Sequence, residues 1–230
     1  MRPGRRTLSI LLPLAASLIL LLPSPAQAAV DSFKFSGNTA FAQWELENAS
    51  VFIAASDGSF QSPPGPATRG DQTFVEVFQE FCDEGTNELV LVDFFGVEEV
   101  DVDVVFDDLD AATAEGSMDL TGSEFRVPDC QNPDFESGVE TDLGQFAVDL
   151  SVEWTAFGAT FRSLNISHSF GPDCKFFSNG TTTFREATAT GEISGDLPGI
   201  ELGNLGGSDF AEIDLSRNTD MAIGSCFEEG

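Results

Sequence analysis

Apolar and polar residues alternate with a period of two along much of this chain. In "FAVDLSVEW", Val148, Leu150, Val152 and Trp154 fall on one side and Ala147, Asp149, Ser151 and Glu153 on the other, as in a strand with one dry face. Similar runs occupy 40–46, 51–55, 73–82, 89–95, 182–191, 210–215 and 221–226. The stretches "DGSFQSPPGPATRGD", "PDCQNPDFESG" and "SGDLPGIELGNLGGSD" divide them, and their Gly and Pro content breaks helix and ladder alike. No segment keeps a helical period over three turns. The pattern predicts an all-β, antiparallel β-sandwich or β-barrel, folded as a single domain over residues 29–230. Asp119-Leu120-Thr121, Asp149-Leu150-Ser151 and Asp214-Leu215-Ser216 are alike but irregularly spaced, one strand habit written three times rather than a repeat.

The stretch "VEEVDVDVVFDDLD", residues 97–110, has carboxylates at half its positions. Val100, Val102, Val104 and Phe106 alternate with Asp101, Asp103, Val105 and Asp107, which predicts a strand with an apolar and an acidic face. Asp101 and Asp103 then project to one side about 7 Å apart, while Asp107, Asp108 and Asp110 crowd the following turn. These five aspartates are the candidate ligands for calcium, which takes about six to eight oxygens. The twelve-residue hand loop with its central Gly is absent, so a solvated acidic face is the stronger reading.

The first 28 residues read as a secretory signal: Arg2, Arg5 and Arg6 lead, an apolar run covers 8–22, and Ala26-Gln27-Ala28 supplies the small-x-small cleavage site. Cleavage after Ala28 makes the mature chain, 29–230, a secreted, extracellular protein. No Cys follows the site to take a lipid, and no later segment is apolar enough to span a bilayer. Three of the ten basic residues leave with the leader, so 7 basic side chains face 39 acidic ones, a net of 7 − 39 = −32. Such a surface repels DNA, RNA and anionic lipid, and it favours a monomer. Its self-repulsion suits a salty medium, where screening tightens from about 8 Å to about 3 Å at 1 M, or bound cations.

Cys82, Cys130, Cys174 and Cys226 are even in number, widely spaced and in an exported chain, so two disulfides are expected. Of the three pairings, neighbours in sequence are favoured, Cys82 with Cys130 and Cys174 with Cys226. No C-x-x-C pair supports zinc or redox chemistry. His168 is the single histidine, it shares a predicted strand face with Ile166 and Phe170, and no G-x-S-x-G elbow or phosphate loop occurs. The expectation is therefore no enzymatic activity and no catalytic residues. Carboxylate chemistry survives the exclusions, with Glu153 beside Trp154 as its most suggestive pair. A glycan hydrolase and a calcium-dependent adhesion domain are the alternatives to a structural or extracellular binding module. Such a module's end loops, 57–71 and 195–208, offer sites for a protein or glycan ligand.

"VEWTAFG" at 152–158 and "FFSNGTTTFREATATGEISG" at 176–195 resemble a group of uncharacterised secreted bacterial proteins, often actinobacterial, with a V-x-W-T-x-x-G strand and a later F-R-x-A-x-A-x-G strand. The terminal "IGSC" resembles that group's closing cysteine. The resemblance covers the C-terminal third to half of the chain and implies export and β structure, with no activity attached. In the second motif Phe184, Glu186, Thr188 and Thr190 share one face. Arg185, Ala187, Ala189 and Gly191 share the other, where small residues admit a close neighbour and Arg185 can counter an acid.

Overall fold

The computed structural model describes residues 31–61, 67–167 and 176–223. Eleven strands account for nearly all of them: β1 Asp31–Glu45, β2 Ser50–Gln61, β3 Ala67–Asp83, β4 Glu88–Glu98, β5 Val102–Asp107, β6 Ala111–Pro128, β7 Val139–Ala156, β8 Phe161–Ser167, β9 Phe176–Gly195, β10 Gly203–Gly207 and β11 Phe210–Ile223. Among the described residues a single short 3-10 turn, Phe135–Ser137, interrupts the strands. Every pairing is antiparallel.

The topology closes on itself. β1, β2, β3 and β4 pair in succession, β4 pairs β6, β6 pairs β7, β7 pairs β9, β9 pairs β11, and β11 returns to β1. β4 and β5 lie end to end along β6, β7 and β8 along one edge of β9, and β10 and β11 along its other edge. The result is an up-and-down barrel of eight staves, which removes most sheet edges. Of the two architectures the alternation allows, the barrel is the one present.

Alternation decides what lies inside. Ala40, Ala42 and Trp44 of β1, Val51 and Ile53 of β2, Val75 and Val77 of β3, and Phe94 of β4 are buried, as are their counterparts Leu120, Val152, Trp154, Ala189 and Ile213 on the other staves. Large residues sit opposite small ones: Trp154 pairs with Ala112 on β6 and with Ala189 on β9. That alternation lets a narrow barrel fill its axis. Val102 and Val104 of β5 are buried and Asp101 and Asp103 exposed, as the alternation around them requires.

The two resemblance motifs prove to be one unit. β7 and β9 are neighbours in register, with Val152 opposite Gly191, Trp154 opposite Ala189 and Ala156 opposite Ala187. A Cβ on Gly191 would lie 2.8 Å from the Ser151 carbonyl oxygen and 2.9 Å from a Val152 methyl, so only hydrogen fits. Arg185 closes the unit, donating to Asp110 and to the Gly158 carbonyl.

Strands run further than the sequence pattern shows. The loop expected over 57–71 is mostly ladder, because Asp57 to Gln61 of β2 pair with Ala67 to Asp71 of β3. The segment expected as one loop over 195–208 contains β10. Residues 221–223 continue β11 rather than forming a separate strand. Of β6 only Asp119-Leu120-Thr121 showed in the sequence, since its inward positions include Ala112, Ala114 and Gly116, which carry little hydrophobic signal.

Cys82 and Cys130 form a disulfide with Cα atoms 5.8 Å apart. Cys174, Cys226 and His168 lie outside the described residues. The Cys82–Cys130 bond spans 48 residues, a loop whose closure restricts the unfolded chain by about 4 kcal/mol in the entropy model. Replacing both cysteines by alanine is expected to lower the unfolding free energy by about 2–4 kcal/mol. Urea denaturation of the variant checks this, and an unchanged midpoint would mean the bond contributes nothing.

Candidate functional site

The outer wall of the barrel has two unlike halves. On β6 and β7 the outward residues Thr113, Glu115, Ser117, Asp119, Asp149, Ser151, Glu153 and Thr155 are exposed and polar. On β11, β1, β2 and β3 the outward positions carry phenylalanines in a row: Phe210 to Phe41 at 5.6 Å between ring centroids, Phe41 to Phe52 at 6.4 Å, and Phe52 to Phe74 at 6.0 Å. Phe78 on β3 and Leu91 and Phe95 on β4 continue it. The cause is local sequence, since "FVEVF" and "LVLVDFF" are apolar at both parities and the barrel can bury only one. Phe210 is 51% and Phe95 37% exposed, the remaining rings half-buried.

Carboxylates are set into this aromatic wall. Glu76 lies between Phe74 and Phe78 along β3, with Phe52 and Phe95 opposite it on the flanking strands. Asp93 stands opposite Phe78 on β3 and Ser123 on β6, with Glu76 on the diagonal. Burial raises the pKa of Glu76. Burial first, and the charge of Glu76 second, push Asp93 up to about 6. On the far side of the row Asp214 of β11 sits between Thr39 of β1 and Phe184 of β9. Burial, then the hydrogen bond and charge of Glu212, push it up to about 8. One carboxylate oxygen each of Asp93 and Asp214 is buried without a hydrogen-bond partner among the described residues.

None of the described ion pairs includes them. Arg69 pairs with Asp57 at 3.4 Å. Arg126 is held by Glu124 at 2.6 Å and by Asp83 and Glu88 at 3.2 Å each. Arg185 is taken by Asp110. Buried charges are ordinarily paired, so these groups are anomalous.

The five aspartates that were candidate calcium ligands are not gathered into one site. Asp101, Asp103, Asp107, Asp108 and Asp110 are all exposed. Asp101 and Asp103 face outward, Asp107 and Asp110 close the β5–β6 turn through a backbone bond of 2.9 Å, and Asp110 is engaged by Arg185. Among the described residues no group of three or more His, Cys, Asp or Glu is placed to hold a metal ion. Glu98 has a turn-closing role instead: it accepts the backbone N–H groups of Val100, Glu99 and Asp101 at 2.8, 2.9 and 3.3 Å, which lowers its pKa.

Glu153 and Trp154 are separated by the barrel wall, Glu153 exposed outside and Trp154 fully buried within, so they form no sugar platform. A closer acid pair is Asp57 and Asp71, directly opposite on β2 and β3. Burial, the charges of Asp57 and Asp103, and a hydrogen bond that protonated Asp71 donates to Asp57 raise the pKa of Asp71. Carboxyls in hydrogen-bond contact are nearer than the roughly 5 Å minimum that either glycosidase geometry needs.

The aromatic wall escaped the sequence reading because a run such as "LVLVDFF" marks a strand without saying which residues face out. Its available signal was Glu76 and Asp93, lone acids inside apolar runs. No protein-family model matches the chain, and the searches of curated proteins and of solved structures found no match.

Proposed function

We propose that this protein is a secreted, non-catalytic binding module that recognises its ligand through the outer face of β11, β1, β2, β3 and β4. The observation that carries the reading is the row Phe210, Phe41, Phe52 and Phe74 on the outside of a barrel whose inside is already filled. Contiguous apolar surface rimmed by polar groups marks an interaction site. Among the described residues the axis is filled by core side chains, which leaves no ligand chamber there of the kind that wider eight-stranded barrels enclose.

A lipid-spanning barrel would turn its apolar side chains outward all round and keep a polar lumen, whereas here the axis is apolar and β6 and β7 present Asp and Glu outward. Among the described residues no helix is long and apolar enough to cross a membrane either.

The test is a binding screen of the mature chain on glycan and extracellular-protein arrays, run beside a Phe52→Ser/Phe74→Ser variant. Hits shared by the natural chain and absent from the variant support the reading. Turnover of a glycan substrate by the mature chain would overturn it in favour of a hydrolase.

A further inference from the structure

The phenylalanine row is flanked on both sides by acids. Glu212 and Asp214 lie on β11 at one side, and Glu76 and Asp93 on β3 and β4 at the other, with β1 and β2 between. At about 4.8 Å per strand the two acidic spots stand roughly 14–19 Å apart around the wall. Side chains from the intervening strands are aromatic or neutral: Phe41 and Gln43 on β1, Phe52 and Ala54 on β2. Arg69, Arg126 and Arg185 are engaged by other acids, and none of the described ion pairs includes Glu76, Asp93, Glu212 or Asp214.

We propose that this face docks a basic, amphipathic segment of another protein, whose lysine or arginine groups reach Glu76 and Asp93 on one side and Glu212 and Asp214 on the other, while its apolar residues cover the phenylalanines. The inference rests on the binding-module reading and names the partner. Charge complementarity selects this occupant over a second copy of the chain. Two copies would set the same half-buried carboxylates against one another on mature chains that each carry a formal charge of 7 − 39 = −32, and like charges in a desolvated interface are strongly unfavourable. A guanidinium or ammonium group laid on this face would pair with carboxyl groups that none of the described ion pairs includes, and Arg also stacks on aromatic rings. In extended form, about four to six residues at 3.3 Å each separate the two basic positions.

The experiment measures fluorescence anisotropy of three labelled peptides added to the mature chain: one alternating Lys and Leu, one alternating Lys and Gly, one alternating Ser and Leu. The second is essential, because a surface this acidic attracts any polycation. The Lys/Leu peptide is expected to bind more tightly than either of the others. Binding should strengthen from about pH 5.5 to about pH 8 at fixed ionic strength, because a cation favours the ionised carboxylates and so releases protons on docking. The groups that titrate around the site are Glu76 and Asp93, with Glu80 next along β3, and Asp214 with Glu212 and the facing Glu186 of β9. In a Glu76→Gln/Asp93→Asn variant affinity should fall about tenfold, while the denaturation midpoint stays the same or rises, which separates lost contact from lost fold.

Equal binding of the Lys/Gly and Lys/Leu peptides, or an undiminished affinity in that variant, would overturn the proposal. Preferential binding of Ser/Leu keeps the face as a docking site and removes the basic partner. Self-association at neutral pH that the Lys/Leu peptide cannot displace assigns the face to a second copy. Should no peptide bind, and should Phe52→Ser/Phe74→Ser leave every array hit unchanged, both the partner and the binding face are wrong.

Discussion

Replacing Phe94 by alanine is expected to lower the unfolding free energy by about 3–5 kcal/mol, the range for truncating a buried aromatic. The ring is fully buried, packs edge-on against Phe146 with centroids 5.2 Å apart, and covers Gly122, where an added Cβ would lie 2.7 and 2.8 Å from Phe94 and 3.0 Å from Phe146. Phe94 is on β4, Gly122 on β6 and Phe146 on β7, so one ring ties three consecutive staves together. Neighbouring staves hold their spacing through backbone hydrogen bonds and cannot collapse freely into the gap, which places the cost high in the range. Phe52→Ala on the outer wall is the comparison: its ring is only half-buried and solvent can occupy the space it leaves, so it should cost about 1–2 kcal/mol by the area it covers. Urea denaturation of both variants measures the difference. Equal costs would mean that Phe94 faces outward and that the order of inside and outside derived above is reversed on β4.

That contrast also explains how much was legible in the sequence. β7 could be read directly because Val148, Leu150, Val152 and Trp154 are large and their neighbours polar. Its partner β6 could not, because Ala112 and Ala114 are small for the sake of Trp154 and Val152, which sit opposite them. The information lies in the pair, not in either strand. The same holds for the loop expected over 57–71. Its Gly and Pro content points to a turn, yet Gly58 and Gly70 are cross-strand partners, and without knowledge of the pairing their alignment is invisible. Glu153 and Trp154 seemed to belong to one site by adjacency, but in a strand adjacent side chains point apart. Conversely, of the acids that the structure singles out, Asp93 shows in the sequence only as a lone acid inside an apolar run, and Asp214 looks no different from dozens of solvated ones. Register brings Phe78 opposite Asp93 and Phe184 opposite Asp214, which no reading of one strand alone reveals.

Acidification from about pH 8 to about pH 5 is expected to stabilise the protein, the reverse of the usual behaviour of a carboxylate-rich surface with well-paired acids. A carboxyl whose folded pKa lies above its unfolded value holds its proton more tightly in the native state. Between the two values the native state therefore binds more protons than the unfolded chain, and stability falls as pH rises through that window. For Asp93 the window runs from 3.8 to about 6, and for Asp214 from 3.8 to about 8. At about 1.4 kcal/mol per unit, Asp93 alone costs on the order of 2–3 kcal/mol at neutral pH as an upper bound. Asp214 acts in the same direction over a wider range.

Asp83 and Glu98 work oppositely. Their folded pKa values are lowered by hydrogen bonds, for Asp83 from the Gly85 backbone first and Arg126 second, for Glu98 from the backbone of Val100 and its neighbours. Their contribution is present above the unfolded pKa and lost as pH falls below it, so stability should peak between about pH 4 and pH 6. General repulsion among the many surface acids would also relax on acidification, but it is screened within about 3 Å at 1 M salt, whereas the burial of Asp93 and Asp214 is not. Urea midpoints recorded across pH at high salt should therefore keep a falling slope in the natural chain and lose most of it in Asp93→Asn/Asp214→Asn, with that variant the more stable at pH 8. A slope that vanishes with salt, or survives in the variant, would place the effect in the overall charge and remove the embedded acids as its cause.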